Sequence, residues 1–203
     1  MVETPISKLE KEIHELKKFV NNFLDTTIDY NLVRDVKAPN HANPGDAGTD
    51  FYIPNYNMDF LNDLIKKNPN RKLHYMLKGD ENDNLVLVIT IMPHERILVP
   101  SGVRVNIHNP YTYLRADNKS GVANNKGLIV GSDIIDYPYR GEMHLSVINT
   151  GDNPVEIQTG QKLVQMIQSY KVETIYNEIS KEDFEKLPPT SRMAKGFGSS
   201  GLK

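Results

Sequence analysis

The chain has 203 residues, 38% of them apolar, a formal net charge of −2 and no cysteine. That length suits one domain with additions, and the near-neutral charge argues against a general nucleic-acid scaffold. Without cysteine there is no disulfide framework, thiolate nucleophile or cysteine zinc site. No apolar run of about 18 residues is present to span a membrane, and a charged N-terminus without a signal-peptide apolar region leads to the expectation of a cytoplasmic protein.

Thr4-Pro5 is a helix start by composition, with Thr4 as N-cap and Pro5 at the first helical position. From there Ile6, Leu9, Ile13, Leu16, Val20 and Phe23 recur at alternating steps of three and four, flanked by Lys and Glu. That is an a/d seam of about two and a half heptads. Sustained coiled coils usually need about three or more heptads, so the seam reads first as an amphipathic helix lying on its own domain. The second reading is a short three-stranded coil in a trimer. Residues 28–36 turn to a β pattern, which Lys37-Ala38-Pro39 ends. Asn43-Pro44-Gly45-Asp46-Ala47-Gly48 is turn chemistry throughout. Asp50 begins a short strand with Phe51 and Ile53, and by its residue type alone is an Asx-type turn residue.

Residues 55–93 read as an insertion. A short helix is expected over 59–67, with Phe60, Leu61, Leu64 and Ile65 on one side and Pro69 stopping it. Two strands follow, at 73–77 and 85–92, joined by a polar loop; the second is apolar on both faces and should be buried. Val99–Val103 is a strand-turn-strand, and strands are expected at 144–148, 155–157 and 163–170, the last holding Gln165 among apolar neighbours. Ser180 caps a short helix to Leu187 that Pro188-Pro189 ends, and the last residues, poor in apolar side chains, should be mobile without ligand. Many short strands with turn signals between them argue an all-β sandwich or barrel.

The chemistry concentrates between Ser120 and Glu142. Leu128-Ile129-Val130 and Ile134-Ile135, split by Gly131-Ser132-Asp133, read as a hairpin. Gly131 lets backbone approach a flat ligand. Asp136 follows two β-branched residues that should bury its base and leave its carboxylate at the hairpin mouth, and Tyr137, Tyr139 and Arg140 come next. One acid, an aromatic face and a cation suit a small polar ring bearing negative charge; an ordinary hairpin with a polar turn suits the same residues. Lys119-Ser120-Gly121 sets a hydroxyl beside glycine and a cation, a clamp for a phosphate oxygen. Asn118-Lys119-Ser120 is also a glycosylation sequon, without meaning unless the chain is secreted. The six histidines are scattered, and no HExxH, GxSxG or Walker lysine motif occurs.

Pro44–Asp50, Lys119–Gly121, the expected hairpin and its mouth within Ser120–Glu142, Gly160–Gln165 and Gly196–Gly201, in that order, resemble the five motifs of the trimeric dUTPase family. The resemblance covers residues 35–54 and 94–201. It implies a distorted jelly roll forming a homotrimer, with active sites shared between subunits. The domains expected are an N-terminal helix over 1–27, a β domain over 28–187 and a tail over 188–203 that closes the site. The reaction implied is dUTP plus water giving dUMP and pyrophosphate, with Mg²⁺ held mainly by the triphosphate and Asp50 near the metal's water shell. Asp136 would hold and deprotonate the attacking water. Lys119, Ser120, Gly121, Gln165 and Arg192 would meet phosphates. Uracil would be read mainly by backbone from Gly131 through Asp133 to Ile134, with Ile135 beside it. Tyr139 would lie against the deoxyribose. Phe197 would stack on uracil, with Gly198, Ser199 and Ser200 on the phosphates. The chain departs from the family pattern at Lys119 (usually Arg, whose bidentate fork Lys lacks), at Pro138 (usually acidic) and at Met193-Ala194-Lys195 (usually Gly-Ser-Gly). The alternative readings are a dCTP deaminase on the same fold and a nucleotide-sensing relative that engages a protein partner through the N-terminal helix or the insertion.

Overall fold

In the computed structural model of the chain, residues 5–81 and 84–190 are described. Alternation decides most of the architecture. β6 (Val103–Ile107) and β7 (Thr112–Asp117) bury every second residue, the pattern of a strand with one inward face. The other strands are β1 (Ile28–Leu32), β2 (Thr49–Tyr52), β3 (His74–Gly79), β4 (Leu85–Ile91), β5 (Arg96–Pro100), β8 (Leu128–Val130), β9 (Ile134–Ile135), β10 (His144–Asn149), β11 (Val155–Gln158) and β12 (Lys162–Tyr170). They form four small sheets, β1-β6, β5-β10-β8, β11-β4-β3 and β2-β12-β7-β9, every pairing antiparallel. The fold is all-β, as expected.

β5 and β6 are joined through Ser101-Gly102. Gly102 has φ +73°, and a Cβ there would meet Val36 Cγ1 at 2.9 Å, so both conformation and space require glycine. Helix α2 (Met58–Lys67) is capped by Asn57, whose side chain accepts from Phe60 N at 2.8 Å. It drives Phe60, Leu61 and Leu64 into the core, while Ile65 stays 44% exposed. β4 is the central strand between β11 and β3, and Leu87 and Ile89 on it are fully buried. The stretch read as an insertion is therefore not wholly peripheral: its second strand is built into the core because it is apolar on both faces.

Helix α1 runs Pro5–Leu24; the N-cap expected at Thr4 lies outside the described residues. Its seam does not lie on its own domain along its length. Leu9 and Leu16 are 56% and 62% exposed. The last turn is held: Asn109 Nδ2 donates to the carbonyls of Phe23 (2.8 Å) and Asp25 (3.0 Å). Phe23 also stacks on Tyr170 with ring centroids 4.8 Å apart.

The body that contains all this ends at Lys171, short of the expected boundary at residue 187. Val172 onward is a separate unit, in which α4 (Lys181–Glu185) is capped by Ser180 accepting from Asp183 N at 3.0 Å. No helix among the described residues is long and apolar enough to cross a membrane.

Candidate active site

Strand order decides which candidate residues meet. Gln165 on β12 stands opposite Asp50 on β2 and Asp117 on β7, and directly opposed residues share a sheet face. Gln165 Nε2 donates to the carbonyl of Asn118 at 2.8 Å. A Cβ at Gly48 would collide with the Gln165 carboxamide, so glycine in the 44–50 turn keeps that side chain in place.

Asp50 is 1% exposed. Lys119 Nζ donates to its Oδ1, and Lys162 Nζ stands 2.6 Å from its Oδ2. Burial alone would push this carboxyl up, but the hydrogen bonds and charges of the two lysines outweigh it and hold it below the usual aspartate range. Two ammonium groups against one carboxylate leave the cluster with a net positive charge beside Ser120. The expectation that Asp50 faces a metal's water shell meets a carboxylate already spent on two cations. Among the described residues no group of three His, Cys, Asp or Glu could hold a metal ion. The described side chains do not fit a protein-held magnesium.

Ser120 and Gly121 open a helix, α3 (Ser120–Lys126), that the sequence reading missed. Gly121 and two asparagines are poor helix formers and the stretch has no apolar period. The turn is set instead by Lys119, whose carbonyl accepts from Val122 and Ala123 N at 2.9 and 2.8 Å. Gly127 in the left-handed region (φ 65°) ends it.

The expected hairpin is not one. β8 pairs with β10 and β9 with β7, so the two short strands lie in different sheets. Residues 131–133 cross between those sheets: Gly131 N donates to Ser146 O (2.9 Å), and Ala116 N to Asp133 O (2.7 Å). The bare side of Gly131 is filled from within, since a Cβ there would meet Ser146 Oγ at 2.7 Å. On that side its glycine serves packing on β10. The periodicity of two short β runs was legible; their partners, set by residues up to about 20 positions away, were not.

Beyond the crossing, Asp133, Ile134, Asp136 and Tyr139 are exposed, and Ile135 is half-buried against the core. Alternation puts Asp136 on the outward side with Ile134, and its carbonyl accepts from Tyr139 N at 3.0 Å, closing a turn. Arg140 is turned back on this segment, donating to Tyr137 O at 2.5 Å. Tyr139 donates its hydroxyl to Glu142 O at 2.8 Å, and its ring covers Gly141 so closely that a Cβ there would lie 2.5 Å from the phenol oxygen. Behind the turn, Arg34 grips the Glu142 carboxylate with two bonds of 2.7 and 2.9 Å and reaches Asp63 on α2 at 2.6 Å. Gly102 N donates to the same carboxylate at 2.7 Å. Burial raises the Glu142 carboxyl, and Arg34 and Gly102 more than reverse this, holding it below the usual range.

Asn118 joins the two groups of residues. Its carbonyl takes Gln165, and its side-chain Oδ1 accepts from Val130 N at 2.7 Å. Asp50, Lys119, Ser120, Gly121 and Gln165 thus form one patch, and the 131–139 segment is tied to it. Asn118, Lys162, Arg34 and Glu142 were missed. Lys162 had a signal, a cation next to the Gly160-Gln161 turn; the others are visible only through long-range contacts. Arg192, Phe197, Gly198, Ser199 and Ser200 lie outside the described residues. A cavity of about 560 Å³, lined by Ile28, Tyr30, Phe51, Val105, Leu114 and Met166 among others, contains none of the candidates. A more polar hollow of about 470 Å³ does include Gly131 and Ser132, beside Lys67, Arg71 and Arg96.

A profile of the dUTPase family matches residues 85–201. The chain is 38% identical over 116 residues to the deoxyuridine 5′-triphosphate nucleotidohydrolase of Orientia tsutsugamushi, covering 56% of this chain and 74% of that protein. Among solved structures it resembles a mutant dUTPase of Staphylococcus bacteriophage 80alpha with dUpNHpp (TM-score 0.62, 17% identity, 88% of this chain and 100% of that one). It also resembles a mutant dUTPase from phage phi11 of S. aureus, described with a structural Mg(II) ion (TM-score 0.55, 14% identity, 77% and 98%). At those identities the structures speak for the fold, and the match to the profile over more than half the chain speaks for descent: this chain belongs to the dUTPase family.

Proposed function

We propose that the chain hydrolyses dUTP, taken as its magnesium complex, to dUMP and pyrophosphate. Asp136 holds a water molecule and accepts its proton as the oxygen attacks the α-phosphorus. The bond from that phosphorus to the bridging oxygen breaks, and pyrophosphate leaves. Ser120, Gly121 and Gln165 contact the phosphates, and the Lys119–Lys162 pair offsets their negative charge, an ammonium having three donors of which Asp50 needs only one. Backbone groups of 131–135 read uracil, Tyr139 lies on the deoxyribose, and Arg192, Phe197, Gly198, Ser199 and Ser200 close the site. Magnesium belongs to the substrate in this scheme, in keeping with the paired state of Asp50. Three copies form the working assembly and share sites between subunits, and residues 188–203 serve as the closing tail.

The observation that carries this reading is the position of Asn118, which bonds both Gln165 of the phosphate patch and Val130, the residue before the segment that leads to Asp136. A phosphate grip and a water-holding carboxylate act together only when their spacing is fixed, because positioning supplies much of the effect. The Orientia relative carries the same activity in its name. Incubation with magnesium and dUTP should release pyrophosphate and dUMP, and dCTP should give neither ammonia nor comparable hydrolysis. Sites that hydrogen-bond one base reject its analogue by up to about 10⁴–10⁵-fold. Ammonia from dCTP would assign the carboxylate to the ring edge and replace this reading with a deaminase.

A further inference from the structure

The first four turns of α1 present an apolar stripe to solvent. Ile6, Leu9, Ile13, Leu16 and Val20 are 41–71% exposed, although the helix belongs to the main body. The last two turns are the engaged part, through the Asn109 bonds to Phe23 and Asp25 and the packing of Phe19 and Phe23 on Tyr111 and Tyr170. The helix is thus fastened at one end and leaves its seam open along the rest.

We propose that α1 packs against α1 of a second copy of this chain, parallel and in register, as a short coiled coil. The seam chooses the partner. Ile6, Ile13 and Val20 occupy one inner heptad position and Leu9 and Leu16 the other, the alternation of β-branched residue and leucine found in parallel self-association. The flanks agree. Glu12 and Lys17 lie on opposite sides of the stripe, five residues apart, so parallel helices in register set each Glu12 against a neighbouring copy's Lys17. The anchor agrees as well: every copy fixes α1 to its own body in the same way, and equivalent helices meeting around a rotation axis that runs along them are parallel. None of the residues assigned to dUTP hydrolysis lies on α1, so this inference does not depend on that reaction.

The chain has no cysteine, so introduced thiols report without background. Leu9→Cys in the full-length protein should give a disulfide-linked dimer under mild oxidation, and Lys11→Cys, on the outer face of the helix, should not. Antiparallel pairing would set Leu9 opposite about residue 20, roughly 16 Å along the helix, beyond the reach of a disulfide. Adding Glu12→Lys to Leu9→Cys should lower the linked fraction several-fold, and adding Lys17→Glu as well should restore it. Hydrolysis of dUTP, measured on every variant, should stay at the level of the unaltered protein and so report that the body remains folded. Linkage at Leu9→Cys no faster than at Lys11→Cys overturns the proposal, as does a loss with Glu12→Lys that Lys17→Glu fails to restore.

Discussion

Gly141 shows how one missing atom can shape a binding surface. The Tyr139 ring lies in the space a Cβ would fill, and its hydroxyl is fixed on Glu142 O. In Gly141→Ala the ring must swing away, and with Tyr139 on the deoxyribose, as proposed above, that movement makes room for a 2′-hydroxyl. We expect this variant to raise kcat/KM for UTP relative to dUTP by about tenfold, as read in a competition assay. An unchanged ratio would separate Tyr139 from sugar selection. Asp50 and Glu142 lead to a second expectation at the same scale. Both carboxyls are held below their ordinary values of 3.8 and 4.5 by cations and, for Glu142, a backbone amide. A lowered folded-state value means that the unfolded chain binds protons first as pH falls. The stabilisation from these pairs is therefore complete above the ordinary carboxylate range and disappears as pH falls through the lower folded values. The contribution of these two carboxyls to the denaturant midpoint should be complete above about pH 6 and be lost below about pH 4, and Asp50→Asn should flatten part of that loss.

Elements differ in how far they could be read in advance. α2 was legible because Phe60, Leu61 and Leu64 keep helical spacing and Pro69 follows; Phe60 and Leu64 prove fully buried. Phe60→Ala should cost about 3–5 kcal/mol, the range for an aromatic removed from a packed core, measurable as a shift in urea midpoint at constant slope. A loss below about 1 kcal/mol would show that α2 is not part of the core. α3 was illegible because its residues carry no period, and its first turn is closed by the Lys119 carbonyl. The false hairpin has a different cause. Its two apolar runs are real, but strand pairing is a long-range choice, and β10 and β7 offer longer partners than the two runs offer each other. For α1 the spacing was right and the surroundings were not. A seam of two and a half heptads looks too short to stand alone, yet the chain leaves it open.

On the scale of the molecule, motifs scattered over more than 100 residues converge because β2, β7, β9 and β12 share one sheet. Their order could be read from the sequence, since short motifs survive as residue types. Their joints could not, since Asn118, Lys162 and the Arg34–Glu142–Asp63 network act through partners 12 to 112 positions away. That network also ties the segment after Asp136 to α2, so the added helix stiffens the ground on which the carboxylate stands. The central claim is that Asp136 positions and deprotonates the water that cleaves dUTP. It is tested most directly by pyrophosphate release from saturating magnesium dUTP by the unaltered chain and by Asp136→Asn, with dUTP affinity measured alongside. The substitution should leave affinity within a few-fold and lower turnover by about 10²–10⁴-fold, the usual weight of a positioned base. Turnover by Asp136→Asn near that of the unaltered chain would contradict that claim.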